Sequence, residues 1–414
     1  MRSHLLHFLL IALSVAYSCG SHIILNTLYL ILKYFLLFRF FFLLLILLIL
    51  PDLFIWWNFT REQSIWRTVL VVLPTVIALA CMILLMCHVR ASLLMQWAFI
   101  LIICVSVPKA VFMVTWLVGR GIIWHNEAAL PMLRTVSLTL AVLMAALQVY
   151  GTGWGWKHLL VQRNHLRVRQ LPSAFNGYKI VQISDLHLGT YAGDTSLMQA
   201  LVDSVNRENP DLIVFTGDLV NMASAEAIPF VQTLKKLRAT DGVYSVLGNH
   251  DYCMYQPGLT PAQLKAEVQR IVRIQRAMGW NVLLDAHHPI VRGADTLYVA
   301  GVENIGKRPF TSQGNLSKAI EGIPKNACTI LLSHDPWHWR HGVIGQNVAL
   351  TLSGHTHGLQ MQIGRFSPAA WFMPEWGGLY REKNQQLFVS IGVGGGVPYR
   401  LGAWPKIELL TLHN

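Results

Sequence analysis

Aspartate, asparagine and histidine recur in this chain directly behind short apolar runs. Val181-Gln182-Ile183 leads to Asp185-Leu186-His187, Leu212-Ile213-Val214-Phe215 to Gly217-Asp218, and Val246-Leu247 to Gly248-Asn249-His250-Asp251. Further on, Ile330-Leu331-Leu332 delivers His334, and Leu350-Thr351-Leu352 delivers Gly354-His355-Thr356-His357. A lone strand-end histidine is ordinarily satisfied by its surroundings, and a glycine-asparagine pair is ordinarily a turn. Five strand ends that each supply Asp, Asn or His shift that weighting, because a buried charge or imidazole is costly unless paired or coordinated.

Asp185, His187, Asp218, Asn249, His334, His355 and His357 offer oxygen and nitrogen but no thiolate. That donor set suits Mn, Fe, Zn or Mg, with Mn favoured. Seven ligands are too many for one tetrahedral zinc, but they suit two divalent ions sharing a carboxylate. Ions about 3.5–4 Å apart can clamp the attacking and leaving oxygens of a phosphoryl group. The implied reaction is hydrolysis of a phosphate ester or anhydride. His250 is a proton carrier and Asp251 a partner able to fix its tautomer, which makes both candidate catalytic residues.

The elements that would position these groups follow from the same runs. Strands near 178–183, 210–216, 242–247, 328–333 and 348–353 alternate with helical periodicity at 197–206, 228–237 and 261–278. The strands at 282–284, 289–292 and 297–302 follow one another closely, as in hairpin-rich β structure. This alternation predicts an α/β sheet whose reactive groups gather beyond the carboxyl ends of the strands. The last strands, 387–391 and 407–412, bracket a glycine-rich turn at 392–396. Gln360 and Arg400 fit either a substrate contact or turn stabilisation.

With five motifs in this order, the stretch 178–412 resembles the calcineurin-like metallophosphoesterase superfamily. The resemblance implies a metallophosphoesterase-type fold, two packed mixed β-sheets flanked by helices. It implies that Asp185, His187 and His357 bind one metal, that Asn249, His334 and His355 bind a second, and that Asp218 bridges them. It also makes His250 the group that stabilises the transition state or protonates the leaving group, oriented by Asp251. Within the superfamily the chain is similar to a membrane-associated branch whose last motif usually reads Gly-His-Thr-His-Gly-Gly-Gln. Here Leu359 stands in the second glycine's place.

The rest of the chain points to a membrane. At 53% hydrophobic, 13% charged and mean hydropathy +0.43, the 414 residues are too apolar for an ordinary soluble protein. Residues 5–57 form a nearly continuous apolar run, read as an uncleaved anchor rather than a signal peptide. Further candidate spans lie near 68–87, 93–118 and 130–150. This predicts an all-α transmembrane region of four or five helices over 1–156, a basic linker at 157–177 and a catalytic domain at 178–414. The net charge of +12 divides into +6 over 1–156, +4 over 157–170 and +2 over 171–414. A nearly neutral soluble part argues against nucleic acid as a partner. The basic segment beside the last span places the catalytic domain on the cytoplasmic side of a multi-pass protein. Lys109 lies inside a candidate span and is given no role. The six cysteines show no disulfide or zinc spacing.

Membrane lipids are the expected partner, and a phosphorylated or lipid-linked molecule the expected substrate. Some members of the resembling branch are UDP-2,3-diacylglucosamine pyrophosphatases, which makes that lipid one candidate. The alternatives are a broad phosphodiesterase or phosphatase on soluble substrates, or a membrane transport or signalling module with a structural metal domain.

Overall fold

The computed structural model describes residues 44–86, 92–124, 126–256, 258–307 and 312–414. The chain divides into two units, and all of Leu147–Asn414 falls in the second.

Apolar helices dominate the described part before residue 147: α1 (Leu44–Thr60), α2 (Ile65–Met86), α3 (Leu94–Ile123) and α4 (Leu130–Gly153). Three stretches are long and apolar enough to cross a membrane, Ile65–Leu84, Leu94–Ile123 and Glu127–Lys157. They match the three later candidate spans, since about 20 apolar residues suffice for one crossing. Of the run 5–57, only residues 44–57, within α1, are described, and α1 is shorter than a crossing; the remainder lies outside the described residues. Lys109 has a partner that its sequence neighbourhood does not reveal. Its ammonium donates to Asp52 Oδ1 at 2.6 Å, to the Val71 carbonyl, and to Thr75 Oγ1 at 3.2 Å. Pairing of this kind makes a cation tolerable among apolar helices.

The second unit is a sandwich of two six-stranded mixed sheets. One runs β1 (Leu160–Arg167), β12 (Lys406–His413), β2 (Lys179–Ile183), β3 (Leu212–Phe215), β4 (Val243–Ser245), β5 (Asn281–Val282). The other runs β10 (Gly378–Glu382), β11 (Gln385–Val389), β9 (Leu350–Ser353), β8 (Cys328–Leu332), β7 (Asp295–Gly301), β6 (Ala286–Arg292). Strand alternation assigns the layers. Ile180, Leu212, Val214 and Leu410 point inward and meet Val299, Ile330, Leu350 and Leu352 of the facing sheet. Their alternates Val181, Ile183, Ile213 and Phe215 point outward, into a second core shared with α5 (Ser196–Arg207) and α6 (Pro261–Ala277). Helix α6 starts on a capping box, with Thr260 and Gln263 bonding each other's backbone N–H.

Three expectations change. Part of the expected linker is strand: β1 pairs in parallel with β12, from Leu160 opposite Lys406 to Arg167 opposite His413. Its polar Gln162, Arg163 and Asn164 hide it, because an edge strand has little apolar surface to show. Strand β10, at the edge of the other sheet, is absent from the sequence reading for the same reason. Finally, residues 228–237 form no long helix; a 3₁₀ segment, Ser224–Phe230, contains Pro229 and passes into a single α turn, Val231–Leu234.

Candidate metal centre

Strands β2, β3 and β4 run parallel in one sheet, and β8 and β9 in the other, so their carboxyl ends share one side. The residues just past those ends take conformations that L-amino acids rarely adopt. Asp185, His187, Asp218, His355 and His357 have φ of +55°, +47°, +61°, +74° and +50°. Such left-handed backbone costs roughly 1–2 kcal/mol per residue and persists only where the surroundings fix it. Glycine makes the close approaches possible. A methyl group on Gly248 would fall on Asp218, and one on Gly354 on Ser184 and Asp185.

All seven predicted ligands come together. Asp185, His187, Asp218 and His357 form one cluster, and Asp218, His334 and His355 another, with the ligand atoms in each within 4.8 Å of one another. In the first, His187 Nε2 lies 3.2 Å from His357 Nε2 and 3.6 Å from Asp218 Oδ2, while His357 Nε2 lies 3.5 Å from Asp185 Oδ1. In the second, Asn249 Oδ1 lies 3.1 Å from His334 Nε2 and 2.9 Å from His355 Nδ1. Asp218 Oδ2 sits 3.2 Å from His334 Nε2 and thus belongs to both.

The donor set fits divalent metal. Burial, reinforced by His250, lowers the His187 imidazole to about 3, and burial together with His187 holds His357 well below its ordinary range. Neutral rings with lone pairs facing one another are what a cation requires. Asp218 Oδ2 is buried and faces the ring nitrogens of His334 and His187. Burial works against ionisation of Asp218, yet His334 and His250 hold its carboxyl well below the usual range. His334 is raised to about 10, against its burial, by Asp218. Its Nδ1–H donates to the Thr216 carbonyl at 2.7 Å, so the proton drawn onto Nε2 stands where a divalent ion would replace it.

The two candidate catalytic residues part company. His250 is half-buried, its Nδ1–H donates to the Asn221 carbonyl at 2.7 Å, and its ring lies 4.7 Å from that of His187. Asp251 does not orient it. Its carboxylate is fully buried and accepts backbone N–H groups of Gly248 (2.9 Å), Asp218 (3.0 Å), Leu219 (2.9 Å) and Val220 (3.3 Å). Asp251 therefore locks the β3 and β4 loops to each other. Gln360 and Arg400 take the turn-stabilising role. Gln360 Nε2 donates to the Val397 and Tyr399 carbonyls, and buried Arg400 donates to Ala403, Ile391 and Gly394. The Gly394 N–H in turn donates to the Asp185 carbonyl.

Two contributors carry no clear sequence signal. Tyr255 accepts a hydrogen bond from Asn249 Nδ2 at 2.8 Å, which turns the amide oxygen toward the histidines. Asp335 places Oδ2 3.9 Å from His355 Nε2. Neither stands in a motif; Tyr255 lies in irregular chain, and Asp335 merely follows His334.

A sandwich of mixed sheets that brings oxygen and nitrogen ligands to one shared carboxylate is an α/β protein of the metal-ligating kind. The family model for calcineurin-like phosphoesterase matches residues 178–359. A "Transmembrane protein with metallophosphoesterase domain" from Bos taurus is 30% identical over 331 residues, which cover 76% of this chain and 72% of that protein. Its Danio rerio counterpart is 29% identical over 284 residues, 66% of this chain and 62% of its own length. A solved dimetal phosphatase from Danio rerio aligns at 14% identity over 53% of this chain and 88% of its own, with a TM-score of 0.33. The chain belongs to the calcineurin-like phosphoesterase family.

Proposed function

We propose that this protein is a membrane-anchored, metal-dependent phosphoesterase that hydrolyses a phosphate ester or pyrophosphate bond in a lipid-linked substrate. The observation that carries the chemistry is Asp218 Oδ2, buried, facing ring nitrogens of His334 and His187, and common to both ligand clusters. Asp185, His187 and His357 would hold one ion, Asn249, His334 and His355 the other, and Asp218 both. Bound divalent ions supply Lewis acidity toward phosphoryl oxygens. The protein's own groups do the rest. With Nδ1–H held by Asn221, His250 keeps Nε2 for the leaving-group oxygen and donates a proton there.

A cleft of about 490 Å³ supports the lipid-linked substrate. It begins at His355 and Asp335, carries Lys307 and an Arg340 paired with Glu375, and has an apolar wall that includes Trp337 and Phe372. Lys307 beside apolar surface suits an amphiphile with an anionic head. The basic segment after the last span supports a multi-pass anchor with the catalytic domain facing the cytoplasm.

The test is hydrolysis of UDP-2,3-diacylglucosamine and of a water-soluble aryl phosphodiester by detergent-purified protein loaded with Mn²⁺, alongside metal analysis. Both activities are expected, with strong preference for the lipid. Asp218→Asn is expected to lose them together with most of the bound metal. Equal turnover of both substrates would remove the lipid specificity, and full metal content in Asp218→Asn would remove the shared-carboxylate centre.

A further inference from the structure

The segment between His357 and Glu375 exposes an unusual concentration of large apolar side chains. Ile363 is 80% exposed, Trp371 and Phe372 72% each, and Phe366 48%. They are held in one small structure. Ile363 and Phe366 exchange backbone hydrogen bonds of 2.8 and 3.0 Å across Gly364-Arg365, with Gly364 at φ +58°. The Phe366 ring meets Trp371 edge-on at 5.5 Å. The 3₁₀ turn Pro368–Trp371 is tied down from within, as Ser367 Oγ donates to the Gly358 carbonyl and accepts from the Ala369 N–H. Apolar residues presented by an ordered hairpin and left exposed among the described residues mark a surface that meets something apolar.

What it meets is indicated by its connection to α4. Met361 bridges Leu401, the Gln362 N–H donates to the Leu401 carbonyl at 2.8 Å, and the Arg400 N–H donates to the Gly151 carbonyl at 3.1 Å. Tyr399 OH donates to Gln148 at 2.6 Å, and Trp404 meets the Tyr150 ring. The hairpin is thus two hydrogen-bonded steps from the last turns of α4, where Tyr150 and Trp154 are exposed in the manner of an interfacial belt. Arg365 at its tip is exposed and positively charged, as a surface meeting anionic headgroups requires. At its other end the segment supplies Phe372 and Met373 to the cleft that holds His355.

We infer that the 363–372 hairpin is a membrane-docking surface that seats Ile363, Phe366, Trp371 and Phe372 in the headgroup and upper acyl region of the bilayer beside α4. This rests on the reading that α4 crosses the membrane. It would hold the cleft against the lipid surface and give an embedded headgroup a short route to the metal centre.

The full chain is reconstituted in vesicles of phosphatidylcholine and phosphatidylglycerol in roughly equal parts. A polarity-sensitive fluorophore is placed on Trp371→Cys or, separately, on Ile363→Cys. Lys325→Cys, in a polar turn ahead of β8, and Leu143→Cys, within α4, serve as references, and unsubstituted protein carried through labelling is the blank. Quenching by acyl-chain nitroxide lipids is expected to be severalfold stronger at 363 and 371 than at 325. Quenching at 143 but not at 363 or 371 overturns docking and leaves the anchor intact. A label shielded from water yet untouched by the lipid quencher means a protein partner, and also overturns it. Quenching at 363 and 371 without quenching at 143 supports docking while removing α4 as the anchor.

Discussion

His250 turns Nδ1 to the Asn221 carbonyl, while its neighbour Asp251 collects four backbone N–H groups from the loops after β3 and β4. Substitution should separate them. His250→Asn is expected to cut the rate by about 10²–10⁴ and leave the thermal midpoint unchanged. Asp251→Asn turns an amide NH₂ toward backbone donors and should destabilise the domain by about 2 kcal/mol or more, with metal lost alongside. Measured kcat, melting and metal content for each variant check both outcomes; a stable, metal-replete Asp251→Asn with low kcat would restore it as a catalytic partner. The seven ligand candidates were legible because each follows an apolar run. The geometry that makes them converge was not, since five of them sit in left-handed backbone that no residue type announces. Nor does adjacency reveal that Asp251 faces away from His250.

Two elements carry side chains at odds with their settings. Leu359 has φ +47° between Gly358 at +56° and Gln360 at +57°, in the place where the resembling branch has glycine. Leu359→Gly should raise stability by about 1 kcal/mol without loss of soluble-substrate activity, as denaturant melts would show. Glu408 lies buried in β12, with Asn164 Nδ2 donating to its Oε2 at 2.9 Å. Burial raises its carboxyl to about 7. Because the folded pKa exceeds the unfolded one, the fold favours the neutral acid, and stability falls as pH rises from about 4.5 to 7. Glu408→Gln has no charge to bury. Its advantage over wild type should grow by up to about 3 kcal/mol between pH 5 and pH 8; parallel pH–stability curves would sink the idea. The central strands were legible from continuous apolar runs, while edge strands β1 and β10 were not, because partial exposure leaves them polar.

At the scale of the molecule, the continuous part of the second unit begins at Leu147, ahead of the segment that reads as a charged linker, and takes β1 with it. A soluble chain starting at His158 keeps the whole sheet, whereas one starting at Tyr178 leaves β12 with an unpaired edge. The shorter chain is expected to aggregate and the longer one to stay monodisperse on size exclusion. The same pairing has a consequence for biogenesis. Strand β1 is synthesised early, yet its ladder partner among the described residues ends at His413, so Leu160 and Lys406 must wait for each other across 246 residues of translation. Through that interval the nascent domain has β1 unpaired and β2 able to pair only with β3. Such long-range closure is slow and leaves edges open to wrong partners. A stop codon between Gly358 and Lys406 would abort the sheet even though every candidate metal ligand had already been translated, and quality control would see an unfinished edge rather than a damaged metal centre.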